Sequence, residues 1–236
     1  MHQLEIANSS HVGGRDEQQD SVGAWSNDQA SLIVVADGVG GNVGGAAASQ
    51  AVIRCAADCW QAHQGVLKSP EADLTNLAKQ AHEAISNLNY EERRNPASTL
   101  VALYITANQA HWVHCGDSRL YWLRNGKELG RTRDHSVVQL LLEQGKITPE
   151  EINSHPDKGR ILKSLGGSSF KGVDYGSCEY QSGDAFALCS DGYWESMPND
   201  AKILPPKPNN ITLGEYCAAI VSQAVANNGP KSDNTT

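Results

Sequence analysis

Three aspartates share one local pattern. In Val34-Val35-Ala36-Asp37-Gly38-Val39-Gly40-Gly41 an apolar run delivers a carboxylate into glycines. Leu188-Cys189-Ser190-Asp191-Gly192 has the same form, and Asp233-Asn234-Thr235 is a third acidic element beside the last residue. A carboxylate at the end of a buried strand is held rigidly, and neighbouring glycines let backbone carbonyls approach a ligand closely. Carboxylate and carbonyl oxygens suit hard cations such as Mg2+ and Mn2+. Two such cations about 3.5–4 Å apart, bridged by one carboxylate, need an oxygen-rich supply of this kind. A single Asp-Gly turn is as readily an ordinary tight turn; three with the same chemistry point to a common ligand. The first run lacks the Lys-Ser/Thr ending of a P-loop and is not read as a nucleotide cradle.

Two further polar elements belong with these. Gly116-Asp117-Ser118-Arg119 lies between two apolar runs and by itself reads as a polar hairpin turn. Arg15-Asp16-Glu17-Gln18-Gln19-Asp20 by itself reads as a solvated charged loop. Its Arg15 nevertheless offers a planar guanidinium that matches two phosphate oxygens, and Asp20 could hold metal-bound water.

The elements that must position these groups can be placed from pattern. Strands are expected at Ser31–Ala36, Thr99–Thr106, Ala110–Cys115, Arg119–Arg124 and Ala185–Cys189. Asn125-Gly126 predicts a two-residue hairpin turn. Gly45–His63 predicts a helix with Ile53, Ala56, Ala57 and Trp60 on one face. Ser69-Pro70 predicts the start of a second, carrying Leu74, Leu77, Ala78, Ala81, Ile85 and Leu88. Ser136–Gln144 predicts a short helix closed by Gly145. Capping boxes mark Thr148-Pro149-Glu150-Glu151 and Thr212 with Glu215, the latter opening a helix to Asn227. Pro198–Asn210 reads as a surface loop. Grouped strands with paired helices, not a regular alternation, predict an α+β architecture of antiparallel sheets with helices outside. No linker divides residues 1–236, so one domain is expected.

Composition sets the limits. The chain has 236 residues, 39% hydrophobic and 19% charged, enough for a sizeable core. Its net charge of −8, with no Lys/Arg-rich run, argues against nucleic acid. An acidic protein acting on a phosphate dianion has an electrostatic problem that divalent cations solve. The six cysteines (55, 59, 115, 178, 189 and 217) form no C-x-x-C pair and read as free thiols of a reducing cytoplasm. No span of 18 apolar residues and no signal-peptide order is present, so no membrane partner is expected. The eight histidines show neither H-x-x-x-H nor H-E-x-x-H, which argues against zinc. His135 and His155 are the only ones singled out for acid catalysis.

In order, these motifs resemble the metal-dependent Ser/Thr protein phosphatases of the 2C class, particularly the bacterial members. The resemblance runs from Arg15 and Asp20 through Asp37–Gly41, Ser98-Thr99, Gly116–Arg119 with Tyr121, Asp134–Ser136, Leu165-Gly166 and Ser190–Gly192 to Asp233–Thr236. It implies two antiparallel sheets packed face to face and flanked by pairs of helices. It also implies two or three Mn2+ or Mg2+ ions, with Asp37 bridging two of them and the Gly38 carbonyl on the second. Asp191 and Asp233 would hold the first, and Asp117 with Asp191 a third. Gln19, Asp20 and Asn234 would act through water or from behind the ligands, Arg15 would hold the substrate phosphate, and residues around 146–163 would form a flap. Gln19 stands where many members have Glu, and Val39 where eukaryotic members have a histidine, so the general acid is unassigned. The family pattern continues into a final strand beyond the position of Thr236.

The implied activity is hydrolysis of phosphoserine or phosphothreonine in proteins by metal-activated water, in a cytoplasmic monomer opposing a bacterial Ser/Thr kinase. A cysteine phosphatase needs Arg six residues after its Cys, and none of the six has one. A non-catalytic, phosphatase-like binding module is the alternative, but it should have lost the metal carboxylates. A stress-signalling phosphatase would need sensor or coiled-coil segments that this chain has no room for.

Overall fold

The computed structural model describes residues 4–39, 44–88, 96–166, 170–197 and 202–236. Its strands are β1 (Asp20–Ser26), β2 (Ser31–Val39), β3 (Ala97–Ser98), β4 (Leu100–Ile105), β5 (Gln109–Cys115), β6 (Arg119–Arg124), β7 (Lys127–Arg131), β8 (Asp174–Glu179) and β9 (Asp184–Cys189). The helices are α1 (Gly45–Ala62), α2 (Pro70–Ser86), α3 (Val137–Glu143), α4 (Asp191–Trp194) and α5 (Leu213–Asn228). One sheet has the order β1-β2-β4-β5-β8, with β3 also paired to β2; the other is β7-β6-β9. Every pairing is antiparallel.

Strand periodicity sorts side chains into three apolar layers. In β4, Leu100, Ala102 and Tyr104 face α1 and α2, whereas Val101, Leu103 and Ile105 face the other sheet. In β9, Phe186 and Leu188 enter the layer between the sheets, whereas Ala187 and Cys189 pack toward α4 and α5. A strand buried on both faces loses the polar-apolar alternation of a half-exposed one. That explains why Leu100–Ile105 reads as a continuous apolar run. Each fully buried aliphatic side chain contributes about 1.5–3 kcal/mol, so the layers fix the register of the strands that carry the aspartates.

The expected α+β sandwich is present, with local corrections. The buried face of α1 is Ala48, Val52, Ala56 and Cys59; Ala57 is not on it, and Ile53 and Trp60 only flank it. Leu88 lies beyond the end of α2. The Ser69 side chain does not cap α2; its N–H instead donates to Asp73 Oδ2 at 3.0 Å. Strands β1 and β8 were not legible because each is an edge, poor in apolar alternation, with a glycine beneath an indole: Gly23 under Trp25 and Gly176 under Trp112. Asn125 (φ 52°) and Gly126 (φ 72°) make the expected turn between β6 and β7. Gly40 and Gly41 lie outside the described residues, as does part of Pro198–Asn210; residues 202–210 contain neither helix nor strand.

Candidate metal centre

Strand pairing brings the first two carboxylates together. Asp20 opens β1 and is the register partner of Asp37 near the end of β2. The two carboxyls are close neighbours, and the charge of Asp20 adds to the rise in the Asp37 pKa. Asp37 is clamped from its other side by the start of β4. Its N–H donates to Thr99 Oγ1 at 2.9 Å, and its carbonyl accepts from Thr99 N–H at 2.8 Å and Ser98 Oγ at 3.0 Å. Thr99 Oγ1 is 2.7 Å from Ser118 Oγ, which ties the Asp37 strand to the turn carrying Asp117.

Asp191 is delivered by β9 as the first residue of α4, a single helical turn. Ser190 beside it donates to Asp20 Oδ2 at 2.7 Å. Asp117 lies between β5 and β6, its carbonyl accepting from Trp194 Nε1 at 3.0 Å. Beneath that turn, Arg119 forms a two-pronged pair with Asp134 (2.8 and 2.7 Å) and stacks on Trp194, its guanidinium carbon 3.5 Å from the ring centre.

The chain ends bring in the fourth carboxylate. Asn234 Nδ2 donates to the carbonyls of Val12 (2.8 Å) and Glu17 (3.0 Å), and its Oδ1 accepts from Gln19 N–H at 2.8 Å. Its side chain is spent on the backbone of residues 12–19, so it places the Arg15 loop against Asp233. The contact is so close that a side chain at Gly13 (φ +67°) would lie 2.2 Å from the Asp233 carbonyl oxygen. Arg15 pairs with Asp233 at 2.5 Å.

These groups line a cavity of about 520 Å³, with Arg15, Asp16, Glu17 and Gln19 on one wall and Asp37 to Val39, Asp117, Asp191, Asp233 and Asn234 around its base. Gly159 and Ile161, from the segment read as a flap, complete the rim. A separate cleft of about 400 Å³, lined largely by apolar side chains, lies between residues 4–9, β9 and α5; Asp37, Asp117, Asp191 and Asp233 are not in its lining.

The site gathers negative charge in buried surroundings. Desolvation, then the neighbouring Asp20, Asp117 and Asp233, push Asp37 well above the usual carboxylate range. Desolvation, then Asp37 and Asp117, do the same to Asp191. Burial raises Asp20 to about 6 and Asp117 to about 7. Asp20 Oδ1 and Asp117 Oδ1 are buried without a hydrogen-bond partner. Unpaired buried oxygens among repelling carboxylates are the donor set of a hard divalent cation. At Gly38 there is no room for a side chain: one would meet the Gly45 carbonyl oxygen at 2.2 Å. Its bare backbone therefore belongs to the cradle, and the residues present fit divalent ions.

Eight of the nine site residues read from the sequence line the cavity, Asn234 acting on backbone, whereas Asp20 lies outside the lining as the register partner of Asp37. His135 and His155 do not line the cavity. Thr99 and Ser118, which hold Asp37 and Asp117 in place, had no signal beyond their positions in motifs. His114, His135 and Asp174 form a cluster that sequence spacing did not reveal, because Asp174 lies 39 positions after His135.

The chain is similar over nearly its whole length to known proteins. A family model described as protein phosphatase 2C matches residues 8–210. The protein phosphatase PhpP of Streptococcus pneumoniae is 32% identical over 237 residues, covering 99% of this chain and 95% of the relative. The Streptococcus agalactiae serine/threonine phosphatase structure superposes with a TM-score of 0.83 at 26% identity, covering 98% of this chain and 96% of that one. The catalytic domain of the serine/threonine phosphatase PstP, solved in complex with two manganese ions, gives 0.76 at 26% identity, covering 96% and 93%.

Proposed function

Because the chain belongs to the protein phosphatase 2C family of metal-dependent hydrolases, we propose that it removes phosphate from phosphoserine and phosphothreonine in proteins, in a single catalytic domain. The observation that carries this is that Asp37, Asp117, Asp191 and Asp233 line one cavity with Asp20 paired to Asp37 beside it, and that two carboxylate oxygens of this group are buried without partners.

In this reading Asp37, the Gly38 carbonyl, Asp191 and Asp233 would hold a pair of Mn2+ or Mg2+ ions. Asp117 with Asp191 offers a third position. Gln19 and Asp20 contribute through water. Such ions, when bound, supply Lewis acidity and bring the pKa of water toward neutrality. The rest falls to the chain. Asp37, whose pKa is raised, would lose its proton to serve as a ligand, with Asp20 beside it. Arg15 leaves Asp233 and turns its guanidinium to the phosphoryl oxygens, where two parallel N–H donors match the phosphate plane. Gly159 and Ile161 narrow the mouth of the cavity over the substrate. Among the described residues no histidine lines the cavity.

Among the described residues the six cysteines are free thiols, and no helix is long and apolar enough to cross a membrane. We read the protein as a monomer opposing a Ser/Thr kinase. The test is hydrolysis of an aryl phosphate and a phosphothreonine peptide with and without Mn2+. Turnover that depends on Mn2+ and is absent in Asp37→Asn supports the reading; equal rates in both proteins would instead favour a binding module.

A further inference from the structure

Adjoining the Asp117 turn, His114, His135 and Asp174 each bring a ligand-capable atom within 4.8 Å of the others. The two imidazoles stack, with centroids 4.5 Å apart and planes 10° from parallel. A ring-nitrogen lone pair lies in the plane of its ring, and nearly parallel planes do not converge on one ion. The histidines therefore do not share a metal.

Their hydrogen bonds assign His135 a different task. Gly116 N–H donates to His135 Nδ1 at 3.1 Å, and His135 N–H donates back to the Gly116 carbonyl at 2.9 Å. A neutral imidazole that accepts at Nδ1 carries its proton on Nε2. That nitrogen lies 3.2 Å from Asp174 Oδ2 and 3.3 Å from Lys163 Nζ, which holds the other Asp174 oxygen at 2.8 Å; with Gly116 N–H occupying Nδ1, the Nε2 proton is directed to Asp174. Burial lowers the His135 pKa to about 4, so Nδ1 keeps its lone pair at neutral pH.

The same residue also grips the segment that rims the cavity. Leu162 N–H donates to the His135 carbonyl at 2.6 Å, Val137 N–H donates to the Arg160 carbonyl at 2.9 Å, and Ser136 pairs with Ile161 as a β-bridge. Gly159 and Ile161 are the members of this limb that line the cavity.

We infer that His135 is a positioning residue: its ring fixes the Gly116 turn that sets Asp117 in the cavity, and its carbonyl anchors the limb 160–163, so turn and rim share one support. The inference rests on the reading of Asp117 as a metal ligand. The ring acts on Asp117 only through Gly116, as an outer partner acts on a ligand it orients.

The experiment is calorimetric titration with Mn2+ of the wild type, Asp117→Asn, His135→Leu and His135→Asn, each checked for cooperative unfolding. Leucine removes the Nδ1 acceptor; asparagine returns an amide oxygen to about its place. Losing an outer partner typically costs about 10–100-fold in metal affinity. Expected is a weakening of that order in the Mn2+ step that Asp117→Asn abolishes, with the remaining steps unchanged. His135→Asn should recover most of it. Hydrogen exchange at 115–118 and 160–163 should quicken in His135→Leu and slow again in His135→Asn. If Asp117→Asn loses a step that His135→Leu keeps at full affinity, the inference falls and the reading of Asp117 stands. If Asp117→Asn loses no step, both fall. Equal weakening in the Leu and Asn variants also overturns the inference, because a role confined to packing would not be rescued by the acceptor.

Discussion

At the residue scale, the aspartates show function set against stability. Asp37 and Asp191 are buried beside carboxylates that repel them, a cost the fold carries without gain until cations arrive. Removing one charge should therefore stabilise the metal-free protein while ending catalysis. For Asp37→Asn we expect metal-free stability at pH 7.5 to rise by about 0.5–2 kcal/mol. The Mn2+-induced rise in melting temperature should largely vanish, and hydrolysis should fall to background. Calorimetric melts with and without Mn2+ check the pair of signs, and a destabilised metal-free variant would contradict the account. Arg15 makes a complementary case. Its partner Asp233 is itself a proposed ligand, so Arg15→Gln should raise KM for a phosphopeptide while leaving Mn2+ binding in place, as measured by steady-state kinetics beside calorimetry.

At the element scale, the turn between β5 and β6 owes its position to what lies beneath it. Arg119 and Asp134 are both buried and fully paired, with Trp194 stacked on the guanidinium and donating to the Asp117 carbonyl. Breaking a buried pair by removing one partner leaves an uncompensated charge and costs about 3–5 kcal/mol. Arg119→Leu should be destabilised by that amount in urea titrations, more than Arg124→Leu, whose pair with Asp184 is more exposed at the arginine. The Gly116–Arg119 motif was legible as a sequence element, but its arginine reads there as a surface charge in a hairpin. Only the packing of α4 against β6 shows it to be an internal strut. The edge strands β1 and β8 were missed for a related reason, since their pattern reflects indoles lying over glycines and not burial along the strand itself.

At the scale of the whole molecule, the clustered carboxylates shape the response to pH. A carboxyl whose pKa is raised on folding adds stability that is complete below its unfolded value of 3.8 and lost as pH climbs through the folded value. For Asp117 that is about 7, and Asp37 and Asp191 are raised well above the usual carboxylate range too. His114 and His135, lowered by burial, act in the opposite direction, but only below about pH 6.5, where an unfolded histidine takes up a proton. Between about pH 6.5 and 8 the carboxyls act alone, so metal-free stability should fall as pH rises. Mn2+ reverses the sign, because ligands bind as carboxylates and each proton displaced favours higher pH. Melting temperatures across that interval, with EDTA and with Mn2+, should diverge; parallel curves would show that the cluster is not the ion site.

The sequence alone determined the chemistry. Apolar runs ending in Asp-Gly announce rigid carboxylates, and turn and capping residues announce where most elements start, because both signals are local and depend only on neighbouring residues. Tertiary structure decided everything that depends on distance through space. Asp233 reaches Arg15 across 218 positions, Ser190 reaches Asp20 across 170, and His135 meets Gly116 through a ring nitrogen whose role no spacing encodes. Those contacts follow from sheet register and layer packing, in which burial of Leu100–Ile105 on both faces leaves one arrangement of the strands that carry them.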